Sequence, residues 1–347
     1  MKVSFVSSQA ITQAMRYQLL RMQSDLIVAQ KEANTWRVAD VGLALGARTG
    51  VSVSLNRDIE RLNGLKDSNQ LAASRLESTQ LGLQQLTEAA NDLLAAYTTG
   101  ISGASDPAII KQQADQVLGL MSSVLNSNLN GEHLFAGINT DVQPLNDFLD
   151  PASPNRAAFD TAFSTYFGFP PNDPAAAGIT DAQMNDFLDN QAAPQFFGAG
   201  WDDWSNATDQ QITSRITLTE TAQTSVSANI PGFRKLAMAA AIVSATFDGS
   251  MSEAARTAAL DRGIALLGEV VNDLANQQGA TGITQQRIER ANDRMSMQVD
   301  LFTESLTEME GVDPAEASTR VNSLLAQIEI SYSLTARLQQ LSLLRYL

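Results

Sequence analysis

Few side chains in this sequence have types and spacings that could do chemistry. The single histidine, His133, lies in LNGEHLFAG, and the chain has no cysteine. Without a second histidine or a thiolate, a zinc triad lacks its ligands, and His133 is predicted to be structural rather than catalytic. Asp202 and Asp203 are adjacent carboxylates, but 38 acidic residues make such pairs common by chance.

Motifs that bind phosphates, dinucleotides or calcium are also absent from the sequence. It contains no Walker-type loop, no dinucleotide glycine fingerprint and no EF-hand loop. We therefore predict a protein that is not an enzyme, with no catalytic residue, no cofactor and no metal ligand.

Composition limits the class of partner. The 347 residues are 44% hydrophobic, enough for two or three domains with a core, and the net charge of -15 disfavours nucleic acid and anionic membranes. The start lacks the apolar run of a secretory signal, and the longest apolar run, Leu236 to Val243, is far shorter than a bilayer span. We expect no cleaved signal peptide and no membrane partner, and the lack of cysteine fits an exported protein.

Heptad spacing marks the helices near both ends. Apolar residues recur at steps of three and four, and an isolated amphipathic helix is marginal in water, so each end needs a partner. We expect the two ends to pack against each other and their remaining apolar residues to contact neighbouring subunits. The predicted assembly interface is Ile11, Met15, Leu19, Met22, Leu26, Leu324, Ile328, Leu334, Leu338, Leu341 and Leu344.

Further helices are predicted between these ends. Their spans are 52–98, 107–130, 250–278 and 283–309, with glycines in GATG ending the third. Asp106 and Pro107 begin the second by capping it, and Ser250 with Glu253 forms a capping box for the third. Gly311 is predicted to close the last in a left-handed conformation. The glycine-spaced VADVGLALGARTG is predicted to be a hinge or extended connector.

The middle of the chain has a different composition. Seven of the ten prolines and about half of the aromatic residues lie between 141 and 210, which predicts an inserted domain with its own core. There, Thr180 and Gln183 resemble a capping box. Alternation in QITSRITLT predicts a strand, hairpinned to TSVSAN across ETAQ.

These elements predict a mainly α fold. It is an elongated rod of long N- and C-terminal helices in a coiled-coil-like bundle, with a β-hairpin and a small inserted α+β domain. The predicted domains are 1–50 with 310–347 as the terminal helical pair, 51–140 with 201–309 as a bundle plus hairpin, and 141–200 as the variable outer domain.

Three segments carry a family resemblance. LNGEHLFAGINTDVQPL resembles the turn that leads into the variable domain of flagellar hook-filament junction proteins (hook-associated protein 3), within the bacterial flagellin-like family. DPAEASTRVNSLLAQIEISYSLTARLQQLSLLRYL is similar to the ending that these proteins share with flagellins. GWDDWSNATDQQITSRITLTETAQTSVSANIPGF is similar in layout to the family's hairpin before the return helix.

The resemblance implies a structural adaptor in the bacterial flagellum. The terminal helices would form the inner wall of a tube, and the subunits would form a ring that joins hook to filament. Implied partners are further copies of the chain, the neighbouring hook-associated protein, flagellin and an export chaperone on the C-terminal helix. The implied location is extracellular, reached through the flagellar type III apparatus without signal cleavage.

Three alternatives stay open. An atypical filament flagellin is the nearest, and NTWRVADVGLALGARTG argues against it because it replaces the serine, glycine and paired aspartates usual there in flagellins. An enzyme hosted in 141–200 has no supporting residues. A needle-tip or translocator protein would need a long apolar hairpin for membranes, which this sequence lacks.

Overall fold

The structure is a computed structural model that describes residues 8–103, 105–247 and 250–344, without the side chains of residues 8, 9, 12 and 338–344. The described residues are mainly helical, with long helices near both ends, which confirms the predicted mainly α fold. The helices are α1 (Ser8–Thr35), α2 (Val41–Leu45), α3 (Thr49–Ile101), α4 (Pro107–Leu125), α5 (Pro154–Phe167), α6 (Asp181–Phe187), α7 (Ala193–Phe197), α8 (Pro231–Thr246), α9 (Glu253–Glu310) and α10 (Pro314–Leu344). Shorter helical turns are Gly46–Arg48, Pro174–Gly178, Leu188–Ala192 and Ala199–Asp203.

The described part of the chain contains two small antiparallel hairpins. Strand β1 (Asn128–Leu129) pairs with β2 (Glu132–His133), and β3 (Thr213–Arg215) pairs with β4 (Thr221–Gln223). The predicted hairpin therefore exists, but its second strand is TAQ, which was expected to be the turn. Burial explains why the second strand begins earlier than predicted. Ala222, which pairs with Ser214, packs with Ile216 in a small apolar cluster that also contains residues of α3 and α9.

Residue packing divides the chain into two compact units. The first comprises the described residues up to Gly64 and from Arg294 onward, and the second comprises Leu65–Asp293. Helices α3 and α9 contribute residues to both.

The second unit contains the main hydrophobic core. Helices α3 and α9 run antiparallel within it, because Asn69 contacts Asn292 and Thr87 contacts Gln278. The Tyr97 hydroxyl donates a 2.7 Å hydrogen bond to the Ala239 carbonyl, which links α3 to the almost fully buried helix α8.

The aromatic residues of the middle segment join this same core. Phe148 stacks on Trp204 with ring centroids 4.9 Å apart, and Phe159 packs edge-on against Phe187. These rings form one continuous cluster with residues of α3, α4, α8 and α9, rather than the separate core that was predicted. All regular elements described between residues 141 and 200 are helical, so the strand content predicted for this insert is not found there.

Helix boundaries follow the predicted caps at several places. Asp106 accepts from the Ala108 amide with Pro107 in the first turn, and Thr180 with Gln183 forms the predicted capping box. At the start of α9, the hydroxyl of Ser252 accepts from the Ala255 amide, so Ser252 caps the helix rather than the predicted Ser250.

Two glycine predictions are wrong. GATG does not end a helix, because α9 continues through it with Thr281 buried and its hydroxyl bonded to the Gln277 carbonyl. Packing along α9 outweighs the cost of about 1 kcal/mol per helical glycine. Gly311 ends α9 but is not among the glycines with positive φ. It is needed because a Cβ there would clash with the Thr307 carbonyl oxygen.

Gly137, in LNGEHLFAG, must be glycine for two reasons. Its φ is +68°, a left-handed conformation that favours glycine, and a Cβ would clash with the backbone of Thr208. The adjoining Ala136 forms an antiparallel bridge with Ser227. The turn after β2 therefore packs closely against the segments on either side of the second hairpin.

Candidate assembly interface

Helices α1 and α10 pair in antiparallel fashion in the first unit. The Gln23 side-chain amide donates a 2.9 Å hydrogen bond to the Tyr332 hydroxyl, and Arg320 pairs with Glu32 at 3.3 Å. Later residues of α1 thus meet earlier residues of α10, which fixes the antiparallel direction. The predicted pairing of the two ends is present in the structure.

Burial follows a heptad pattern in both helices. Met22, Ala29 and Ala317 are buried, and the other seam residues are half-buried. With the seam assigned to heptad positions a and d, Gln23 and Tyr332 both fall at e, whereas Glu32 and Arg320 both fall at g. Pairs of like position are what an antiparallel coiled coil brings together. The seam is Met15, Leu19, Met22, Leu26, Ala29 and Ala33 on α1, with Ala317, Val321, Leu324, Ile328, Ser331 and Thr335 on α10.

The predicted interface residues divide between this seam and its surroundings. Met15, Leu19, Met22, Leu26, Leu324 and Ile328 lie in the seam. Ile11 and Leu334 lie outside it and are 39% and 47% exposed, because a strict heptad assigns both to position g. Leu338, Leu341 and Leu344 lie outside the residues whose side chains the structure describes.

Both helices also carry apolar side chains away from the seam. Tyr17, Leu20 and Ile27 of α1 are 72%, 61% and 67% exposed, at positions b and f that are polar in an ordinary two-helix coil. Exposed apolar residues of α10 are Leu325, Ile330 and Tyr332. Sequence reasoning missed this second stripe, although the seven-residue step from Leu20 to Ile27 signals it. We call Tyr17, Leu20 and Ile27 the outer stripe of α1.

A clasp of polar contacts joins the connector after α1 to the end of α9 and to Val312 after it, and Ser52 of α3 also contacts the end of α9. Buried Glu310 accepts a short hydrogen bond from Ser52 and lies 3.7 Å from Arg37. Its backbone carbonyl accepts from the Val38 amide, and the Trp36 carbonyl accepts from the Val312 amide at 3.0 Å.

The connector itself is bent sharply but is not wholly extended. Trp36 has φ of 55°, which is unusual for a bulky residue, and its side chain is 64% exposed. Asp40 then caps α2 by accepting from the Leu43 amide. The break in the helix lies at residues 36–40, ahead of the glycines. Residues 41–50 are helical, so the extended connector predicted over VADVGLALGARTG is not found.

The candidate chemical groups do not converge on a reactive site. His133 lies in the first hairpin, and its Nδ1 is 2.9 Å from the carbonyl oxygen of Asn126 at the end of α4. Asp202 and Asp203 are exposed on a helical turn. Among the described residues, no group of three or more potential ligands could hold a metal ion.

The cavity between α3 and the two hairpins has a volume of about 580 Å³ and is lined by Arg75 and Glu132 among others. These two side chains pair with each other.

Within the part of the chain that the structure describes, no helix has the length and apolar character needed to cross a bilayer.

Comparison with known proteins identifies relatives. Residues 6–140 match the bacterial flagellin N-terminal helical region, and residues 264–347 match the bacterial flagellin C-terminal helical region. A solved structure assigned as a flagellar hook-associated protein from Vibrio parahaemolyticus is similar in fold, with a TM-score of 0.53 and 9% identity over 76% of this chain and 97% of that chain. No curated protein sequence matches the chain. With both terminal helical regions matched, the chain belongs to the bacterial flagellin-like family of structural flagellar proteins.

Proposed function

We propose that this chain is an adaptor subunit of the junction between the hook and the filament of the bacterial flagellum. The observation that carries the proposal is the α1/α10 pair, whose seam is closed within the chain while its outer stripe is exposed. Clustered exposed apolar residues mark contact surfaces, because the free energy falls when a partner removes their apolar area from water. The partners expected from the family are further copies of the chain and adjoining flagellar proteins.

The connector supports a junction role over a filament role. In NTWRVADVG, Arg37, Val38 and the Trp36 carbonyl make the contacts of the clasp. Trp36, Arg37 and Val38 belong to the stretch that departs from the usual flagellin pattern. The same residues hold the connector against Glu310 and Val312. Filament flagellin remains the competing function within the family.

Residues 1–50 with 310–347 would lie innermost in the assembly, 51–140 with 201–309 would form the next layer, and 141–200 would face outward. The subunit would act outside the cell after export through the flagellar type III apparatus without signal cleavage, with an export chaperone bound at α10. Assembly involves no catalysis.

Electron microscopy of a deletion strain tests the proposal. A junction adaptor predicts that hooks remain while filaments are lost, and that antibody against this chain labels a single band at the hook end of each wild-type filament. Labelling along the whole filament would assign the chain as a filament flagellin. Hooks that still carry intact filaments in the deletion strain would overturn the junction role.

A further inference from the structure

The first unit carries a basic ridge on the segment of α3 that it contains. Val53, Arg57 and Arg61 follow one another at four-residue steps, all exposed, and lie opposite the buried Ser52 and Leu62. Four-residue steps place side chains on one face of a helix. Neither arginine has an ion-pair partner among the described residues, and the exposed Glu60 lies at the edge of the ridge.

An acidic ridge occupies the matching segment of α9. Asp300, Glu304 and Glu308 also follow at four-residue steps and are all exposed. Beside them are Met297 and Leu301, which are 63% and 59% exposed. The ridge lies opposite the buried Met295 and Leu306, and its three carboxylates have no ion-pair partner within the described residues.

Each ridge places like charges at a spacing that is unfavourable within one helix. Like charges four residues apart destabilise a helix by a few tenths of a kcal/mol per pair. The acidic ridge contains two such pairs and the basic ridge contains one. A surface of opposite charge would relieve this repulsion on both helices.

The two ridges lie at the same level. The Ser52–Glu310 hydrogen bond fixes α3 against α9, and both helices run away from that contact. Arg57 and Arg61 follow Ser52 by five and nine residues, whereas Glu304 and Asp300 precede Glu310 by six and ten. At about 1.5 Å per residue, the two sets of charges differ in height by only about 1.5 Å.

We propose that the basic ridge of one copy binds the acidic ridge of the copy beside it, so that each contact joins two different surfaces. This inference rests on the proposed function, in which the chain assembles with further copies of itself. Because one chain carries both ridges at one level, copies placed side by side bring Arg57 and Arg61 opposite Glu304 and Asp300. Such a contact uses two different surfaces, so it repeats from copy to copy and closes into a ring when the rotation allows. Val53, Met297 and Leu301 supply apolar area at its edge.

Charge reversal in the full chain tests the contact. One variant carries Arg57→Glu with Arg61→Glu, and the other carries Asp300→Lys with Glu304→Lys. Each is expressed in the deletion strain, and the subunits bound per isolated hook are counted by immunogold labelling. We expect about a tenfold loss for either variant alone, because like charges then face each other, and recovery when both are expressed together. Asp67→Lys with Glu77→Lys, two exposed acids elsewhere on α3, is the control for the acidic-ridge variant, because it changes the charge by the same amount and sign.

The outcomes separate the two proposals. Wild-type labelling at hooks with unchanged labelling by both variants would overturn the ridge contact and leave the junction function in place. Loss in both variants without recovery in the mixture would also overturn the ridge contact. Absence of wild-type label from hooks would overturn the junction function itself. Circular dichroism on each purified variant verifies that the helices are retained.

Discussion

The Glu32 carboxylate accepts a 3.3 Å hydrogen bond from the Arg320 guanidinium, although 288 positions separate the two residues. Glu32 is buried and also accepts from the Ala39 amide, so the same side chain holds the connector and the start of α10. This contact sets the register of α1 against α10 at the end where the clasp lies.

A double-mutant cycle measures this link. Glu32→Gln keeps the side-chain oxygen that serves the Ala39 amide but removes the charge facing Arg320, and Arg320→Gln removes the other charge. We expect a coupling free energy of about 0.5 to 1 kcal/mol in urea unfolding, since Arg320 is half exposed to solvent. The coupling should shrink at high salt, and a coupling indistinguishable from zero at low salt would contradict the assigned role.

Tyr97 offers a test of the core of the second unit. Burial, and next the Asp115 charge, raise the pKa of the Tyr97 hydroxyl well above its usual value near 10. Tyr97→Phe leaves the Ala239 carbonyl without its donor and should cost about 1 to 2 kcal/mol in free energy of unfolding at pH 7.

The same residue predicts a pH dependence. Above pH of about 10, the unfolded chain releases the Tyr97 proton while the folded chain retains it, so folding stability falls as pH rises. Tyr97→Phe should make the unfolding free energy fall less steeply between about pH 10 and 11. Equal slopes for variant and wild type would show that the hydroxyl titrates as readily in the folded state.

Gly263 and Gly268 form a matched pair within α9. A Cβ at Gly263 would lie 2.5 Å from a ring carbon of Tyr97, whereas a Cβ at Gly268 would meet nothing within 4 Å. Gly263→Ala should destabilise by about 1 to 3 kcal/mol through overpacking. Gly268→Ala should stabilise by about 0.5 to 1 kcal/mol through helix propensity. Thermal unfolding of both variants checks the pair, and a stabilising Gly263→Ala would contradict the close packing of α3 on α9.

Much of the helical framework could be predicted because its signals are local. Asp106 with Pro107, and Thr180 with Gln183, specify helix starts through hydrogen bonds made within a few residues. The α9 helix could not be delimited in this way. Glycines at 279 and 282 favour a break, and only tertiary packing keeps the helix continuous.

The interface was predictable only where its pattern was regular. The heptad predicts the seam through Met22 and Leu26, but the prediction also placed Ile11 and Leu334 on the apolar stripes, and both are out of the strict repeat and exposed. The heptad does not predict the outer stripe, because Tyr17, Leu20 and Ile27 fall at positions b and f, outside the a and d positions of the seam. The ridges of α3 and α9 depend on the register of two distant helices, which the Ser52–Glu310 contact supplies and no local pattern does.

The most direct test of the account replaces the outer stripe without touching the seam. Leu20→Ser with Ile27→Ser alters two residues that are 61% and 67% exposed. As a control, Leu81→Ser with Ile109→Ser alters two apolar residues of the second unit that are 57% and 63% exposed. Both variants are expressed in the deletion strain, and immunogold label per hook is counted. We predict that the stripe variant keeps its helical circular dichroism but loses about tenfold of its label, while the control assembles like wild type. Equal assembly by the stripe variant and the wild type would contradict the claim that the paired terminal helices bind neighbouring subunits through their outer face.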